Sequence, residues 1–315
     1  MIRNLQVIKK AIIGMGGSVE ELVPERGCFY AVVLGKRILI ERKMSITRQS
    51  FVSGELTRCK DITHRLLQMH DLPTPKTESF YNKSYDRSRA ETAFASLKYP
   101  IILKDAQGSE SRGIFPFIGN AADAIDTLER ELPRYRSMIA QEMVFGKEYR
   151  VLVLGEKVIG ALEMIPPYVK GDGVSTIREI IGKKQDTTRR RTEFDEGLER
   201  ILEEQGVSLE SVMPTDTIAF IKRSSCLAEG GETKDVTDSV HGKIEKICVE
   251  ASKVVGKELV GIDIMCEDVS VDPDRQSFNI IEINGKPDLY IHYDPTHGNT
   301  RNVVEDIVRF MAEIA

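Results

Sequence analysis

Two apolar runs near the end of the chain, ELVGIDIM (258–265) and FNIIEIN (278–284), each hold a carboxylate in their interior. Strand alternation puts Gly261, Asp263 and Met265 on one face of the first run. It puts Phe278, Ile280, Glu282 and Asn284 on one face of the second. An unpaired carboxylate in a buried strand is costly. Each acid therefore needs a partner. If the two strands are neighbours, Asp263, Glu282 and Asn284 meet as an oxygen set suited to Mg²⁺, which shares its shell with substrate phosphates. A buried Arg or Lys beside Glu282, with Asp263 at a strand end, satisfies the same constraint.

The rest of the chain mixes strands and helices in an α+β pattern. YAVVLGKRILIERKM predicts two strands turning at Gly35-Lys36. A helix is expected from Lys60 with Ile62, Leu66 and Met69 on its apolar face, stopping before DLPTP. SFYNKSYDRSRAET (79–92) reads as a polar loop. Two strands, a helix capped by Asn120 with Ala124, Ile125, Leu128 and Leu132 inward, and a further strand make 95–150 a β-α-β lobe. Residues 168–215 are charged and mostly helical, and two amphipathic helices close the chain: Ile244, Ile247, Cys248, Ala251 and Val255, then Val304, Ile307, Val308 and Met311.

Composition narrows the function. A net charge of −5 argues against a general nucleic-acid or membrane-surface binder. No apolar run approaches the roughly 20 residues of a membrane helix. The N-terminus lacks the pattern of a signal peptide and reads as mature sequence. The five cysteines are scattered without a CxxC pair, which suits a reducing, cytoplasmic setting and argues against zinc.

Basic residues supply a second constellation. Lys104 ends the run PIILK and is followed by the small-residue loop QGSESRG (107–113), while Lys60 stands at a helix start. An ammonium beside loop amides suits a phosphate, although this loop is not a Walker A motif and a plain hairpin turn has the same look. In QEMVFGKEYRVLVLG (141–155), a strand edge at Glu142 and Val144 offers backbone groups to a purine. Glu148 and Arg150 share one strand face there, and an exposed edge with solvated charges is the competing reading.

These pieces, in this order, resemble the ATP-grasp superfamily. The resemblance is greatest to the ATP-grasp module of the cyanophycin synthetases and to the glutathione-synthetase half of the bifunctional glutathione enzymes. It runs from about residue 36 onward and rests on GKEYRVLVLGEKVIGA, VKGDGVSTIREII, GGETKDVTDSVH, VGIDI and IIEINGKPDLYIHYDPTHGNTRNVVEDIV. It implies an ATP-grasp fold with two α+β lobes: 1–94 leading into the fold, 95–150 a small lid lobe, and 151–315 a large lobe with metal and substrate sites. Carried over, it places ATP phosphates on Lys60 and Lys104, with Gly108, Ser109 and Gly113 in the closing loop. It places adenine at Glu142 and Val144, ribose at Glu148, and Mg²⁺ (with Mn²⁺ as a substitute) at Asp263, Glu282 and Asn284. Arg150, the GDG loop at 171–173 and Lys222 fall at the reacting, substrate side.

The implied activity is ATP-dependent joining of a carboxylate and an amine through an acyl phosphate, on amino acids or small peptides, with ADP and phosphate released. Phosphotransfer without ligation, and a silent nucleotide-binding module, are the alternatives. The family leaves room for a homo-oligomer. The chain departs from the family at Cys226-Leu227-Ala228-Glu229-Gly230-Gly231, where the cyanophycin synthetases have a pattern like N-L-S-T-G-G. It also carries Lys222 where arginine is usual, which loses a carboxylate fork but keeps a charge. The run Arg189-Arg190-Arg191 fits an acidic substrate or a solvated helix face balanced by nearby glutamates. His241 and His292 follow the family pattern but suit structural roles, and Arg301 suits either the cleft or an exposed helix start.

Overall fold

A computed structural model describes residues 2–40, 51–108, 113–187 and 192–315. Ser109 and the arginines at 189–191 lie outside the described residues. The chain divides into two compact units, 1–163 with 235–315, and 164–234.

The larger unit begins with α1 (Ile2–Gly14) and an antiparallel sheet of β1 (Ser18–Val23), β2 (Cys28–Val33) and β3 (Lys36–Ile40). The β2–β3 turn falls at Leu34-Gly35, one residue earlier than expected. Both residues have positive φ, the twist a two-residue hairpin needs. After α2 (Phe51–Leu56) comes α3 (Lys60–Met69). Its buried face is Thr63, His64 and Leu67, whereas Ile62 and Met69 are exposed, so the predicted apolar stripe is corrected. Burial of the two polar side chains is possible because each is bonded. Thr63 Oγ1 donates to the Leu56 carbonyl at 2.6 Å, and His64 Nδ1 lies 2.6 Å from Thr74 Oγ1.

The segment read as a loop holds β4 (Thr77–Tyr81) and α4 (Arg87–Ala95) instead. The helix is capped by Asp86, which accepts from Arg89 N–H at 2.8 Å. Only Ala90 and Phe94 of α4 are buried, so its sequence carries little helical periodicity. Next come β5 (Ile101–Asp105), β6 (Ile114–Ile118), α5 (Ala121–Glu131) and β7 (Ser137–Glu142), with α5 capped by Asn120 as expected. These strands form a four-stranded sheet in the order β4-β7-β5-β6, with a core of Phe94, Ile101, Leu103 and Leu128 on its helix-covered face.

The strands β8 (Lys147–Leu154) and β9 (Lys157–Ile165) follow. The smaller unit contains β10 (Tyr168–Lys170), α6 (Ile177–Thr187), α7 (Glu196–Glu204) and β11 (Ile218–Phe220), packed around Ile177, Leu198, Leu202 and Met213. Then come β12 (Glu232–Asp235), α8 (Gly242–Val254), β13 (Leu259–Cys266), β14 (Phe278–Asn284), α9 (Tyr290–Tyr293) and α10 (Val303–Ile314). The five-stranded sheet has the order β12-β9-β8-β13-β14.

That sheet positions the site. One face is apolar throughout: Tyr149, Val151 and Val153 of β8 and Val260, Ile262 and Ile264 of β13 pack on α8 and Leu67. The other face changes along its length. Leu152, Leu154 and Leu259 are covered by α10 and the N-terminal sheet, whereas Glu148, Arg150 and Asp263 occupy the remaining end. A bulge in β14 completes that end. Asp263 pairs with Glu282 but Ile264 pairs with Ile280, which leaves Ile281 as the extra residue. The predicted single face for Phe278, Ile280, Glu282 and Asn284 is therefore wrong. Phe278, Ile280 and Ile283 join the core, and Glu282 and Asn284 stay outside it because the extra residue resets the alternation. Among the described residues no helix is long and apolar enough to cross a membrane.

Candidate functional site

Asp263 is 5% exposed and lies directly across β13 from Arg150 on β8 and Glu282 on β14. Arg150 donates to both of its oxygens, Nε to Oδ1 and Nη2 to Oδ2 at 3.0 Å, and Asn284 Nδ2 donates to Oδ2 at 2.8 Å. Burial pushes the Asp263 carboxyl up, and the Arg150 fork opposes that. All three contacts donate to Asp263, which suits the acceptor-only carboxylate. Gly261 makes the reach of Arg150 feasible: a Cβ there would lie 3.1 Å from Arg150 Cδ.

Glu282 pairs with Lys60 Nζ at 3.1 Å, and the same ammonium donates to the Gly108 carbonyl at 2.6 Å. Helix α3 packs against β4, β7 and β14, which sets Lys60 between the bulged strand and the loop after β5. The Lys60 backbone N–H donates to the Ala106 carbonyl at 2.8 Å, a second tie to that loop. Lys104 points from the face of β5 opposite the lobe's core and is 7% exposed. Burial, with a smaller contribution from Lys60, lowers its pKa to about 8 against the opposing pull of Glu282 and Asp263. Among the described residues Lys104 has no ion-pair partner.

The structure thus brings Lys60, Lys104, Gly108, Arg150, Asp263, Glu282 and Asn284 together. Glu148 lies one pleat beyond Arg150, across from Met265. Glu142 ends β7, and its side chain accepts from the Lys98 N–H at 2.9 Å, while Val144 lies in the segment between β7 and β8. Gly113 has φ 68° and its carbonyl accepts from Asp105 N–H at 2.9 Å. Lys222 belongs to the smaller unit, where its Nζ is 3.3 Å from Glu229. The two departures from the family pattern therefore pair with each other. Arg301 does not stand at an exposed helix start: it is bound by Asp235 at 2.7 Å and Asp238 at 2.5 Å.

Sequence reasoning missed the cations already seated on the acids. Their only signal was the option of a basic partner for Glu282. Among the described residues no three His, Cys, Asp or Glu side chains form a self-sufficient metal cage. Two opposed carboxylates and the Asn284 carbonyl fit Mg²⁺ in the manner of a site completed by phosphate oxygens.

No family model matches the chain. It is 30% identical over 270 residues to the cyanophycin synthetase of Synechocystis sp., across 81% of this chain and 30% of that protein. It is 26% identical over 279 residues to the glutathione biosynthesis bifunctional protein GshAB of Clostridium perfringens, across 85% of this chain and 36% of that one. The chain spans about a third of the length of these curated relatives. The crystal structure of a bifunctional glutathione synthetase from Pasteurella multocida shares the fold, with TM-score 0.72 and 22% identity over 99% of this chain and 44% of that one.

Proposed function

The chain belongs to the ATP-grasp superfamily, and from that premise we propose that it is an ATP-dependent carboxylate–amine ligase. It joins amino acids or small peptides through an acyl phosphate and releases ADP and phosphate. The observation that carries this reading is the buried ammonium of Lys104, without an ion-pair partner among the described residues, facing Glu282 and Asp263 across from Lys60. A triphosphate supplies the negative charge that Lys104 lacks, and its divalent cation would be a further partner for the two acids.

In this reading Lys60 and Lys104 hold the phosphates, and Gly108 and Gly113 flank the loop that closes over them. Glu142 and Val144 offer backbone groups to adenine, and Glu148 takes the ribose. Asp263, Glu282 and Asn284 hold Mg²⁺, or Mn²⁺ in its place, which when bound bridges phosphate oxygens and offsets their charge. Arg150 stabilises charge at the reacting end, and Lys222 with Glu229 serves substrate selection. The lid lobe is the four-stranded sheet with α4 and α5, which begins at β4, upstream of the 95–150 expected from the sequence, and ends with β7, while 151–315 carries most of the metal and substrate residues. Positioning and charge neutralisation do most of this chemistry, so no covalent protein nucleophile is needed.

The test is ADP release across pairs of amino acids and dipeptides, with product mass measured. Release that needs both an acid and an amine, with a product lighter than the two substrates by one water, is the expected result. Release with the acid alone indicates a phosphotransferase, and no release with any pair indicates a nucleotide-binding module.

A further inference from the structure

His292 on α9 is fully buried, and neither ring nitrogen has a hydrogen-bond partner among the described residues. Buried polar atoms are nearly always bonded, so two orphans on one ring call for an explanation. The ring lies against Gly160 of β9, where a Cβ would come 2.8 Å from His292 Nδ1. Its backbone carbonyl accepts from Arg301 N–H at 3.0 Å, which fixes the main chain and leaves the ring alone uncommitted.

Two charges bear on this ring. Burial, and then the Arg150 guanidinium, lower its pKa to about 3, and Asp235 opposes them. Asp235 is already committed elsewhere: Arg301 Nη2 donates to it at 2.7 Å and Thr237 Oγ1 at 2.6 Å. His292 is therefore neutral, and a neutral imidazole keeps one nitrogen as an acceptor. The ring packs with Val303 over Gly160 of β9, the strand beside β8, on the sheet face that Leu152 shares with Arg150, whose guanidinium carries five N–H donors.

Arg150 meanwhile occupies both oxygens of Asp263. A cation that takes Asp263 as ligand must share or displace that fork. A guanidinium released inside the protein needs new acceptors, because an unpaired buried charge is strongly disfavoured.

We propose that His292 is the alternative seat of the Arg150 guanidinium: Arg150 bonds Asp263 before a divalent cation binds, and a His292 ring nitrogen once the cation has taken Asp263. His292 is then a positioning residue, which keeps the released guanidinium at the reacting end of the cleft. The inference rests on the metal site of the proposed ligase reading.

Manganese binding in the presence of ADP, followed by the electron paramagnetic resonance of free Mn²⁺, tests it on the full chain. His292→Phe should weaken Mn²⁺ affinity about tenfold, the loss of one charge-assisted hydrogen bond. His292→Asn, which keeps an acceptor, should recover most of that loss. In an Arg150→Met background the same His292 substitutions should leave affinity unchanged, because no guanidinium needs a seat. Equal losses in both backgrounds, as from packing or a bound water, would overturn the inference, and so would an undiminished affinity in His292→Phe. If His292→Phe does not fold, His292→Leu against His292→Asn carries the same comparison. A wild-type chain that takes up no Mn²⁺ overturns the metal reading and this inference together. Uptake without coupling between His292 and Arg150 overturns this inference alone.

Discussion

Strands β13 and β14 lie side by side, and each offers one carboxylate to the same site, but they hold it differently. β13 is central, flanked by β8 and β14, and alternates regularly, so Asp263 is enclosed and gripped by Arg150 and Asn284. β14 is an edge strand with a bulge at Ile281, and Glu282 is one-third exposed, with Lys60 its one ion-pair partner among the described residues. The outer backbone of β14 is satisfied by an irregular segment: Ile280 N–H donates to Pro73 O at 2.8 Å, and Thr74 Oγ1 donates to Ile280 O at 3.1 Å. The contrast is one of support: Asp263 is enclosed and contributes to the stability of the sheet, whereas Glu282 rests on one partly open pair.

The largest expected effect tests the framework side. Asp263→Ala removes both oxygens that hold the buried Arg150 guanidinium and should cost about 3–5 kcal/mol of stability. Urea unfolding measures it. A loss below about 1 kcal/mol, typical of a surface pair, would remove the distinction between the two acids.

A second substitution series addresses the bulge itself. Ile280 is fully buried, so Ile280→Ala should cost about 2–5 kcal/mol. Ile281 is only partly buried, and Ile281→Ala should cost distinctly less. Unbroken alternation from Glu282 predicts the reverse order, so the ranking in denaturant unfolding decides between them.

These two strands also mark what a sequence can and cannot convey. The apolar stripes of α5, α8 and α10 follow from spacing alone, because each buried residue there needs only another apolar side chain. The meeting of Asp263, Glu282 and Asn284 was legible for the same reason, since two apolar runs with internal acids have few ways to pair. The bulge was not, because Ile280, Ile281 and Ile283 look alike and nothing local says which one is extra. The buried face of α3 was hidden too, since Thr63 and His64 Nδ1 bond Leu56 and Thr74, partners that periodicity does not see. The pairing of Lys60 with Glu282, and of Lys222 with Glu229, depends on contacts that only the fold creates.

The polar support of β14 predicts a pH dependence of its own. Burial, then Lys104 and Lys60, lower the His64 ring from 6.5 to about 3. The folded state resists the proton and the unfolded state accepts it. Stability from this group is whole above pH 6.5 and is lost as pH falls toward 3, at about 1.4 kcal/mol per pH unit. His64→Gln should flatten the stability profile by one proton in that window, with the carboxylates common to both proteins cancelling. Identical slopes would mean that the ring is protonated in the folded protein.

The smallest effect on stability belongs to Glu282→Gln, and it is the sharpest test of the contrast. Its pair with Lys60 is partly open to solvent, so losing the charge should cost less than about 1 kcal/mol. Lys60 keeps its bond to the Gly108 carbonyl, and the amide can still accept from the ammonium. Metal-dependent ATP turnover should nonetheless fall by orders of magnitude, because the neutral amide is a poor ligand for a hard cation. Parallel measurement of urea midpoint and ADP release reads both quantities on one sample. A variant that unfolds as readily as Asp263→Ala makes Glu282 a second framework residue. A stable variant with undiminished turnover moves the metal away from β14.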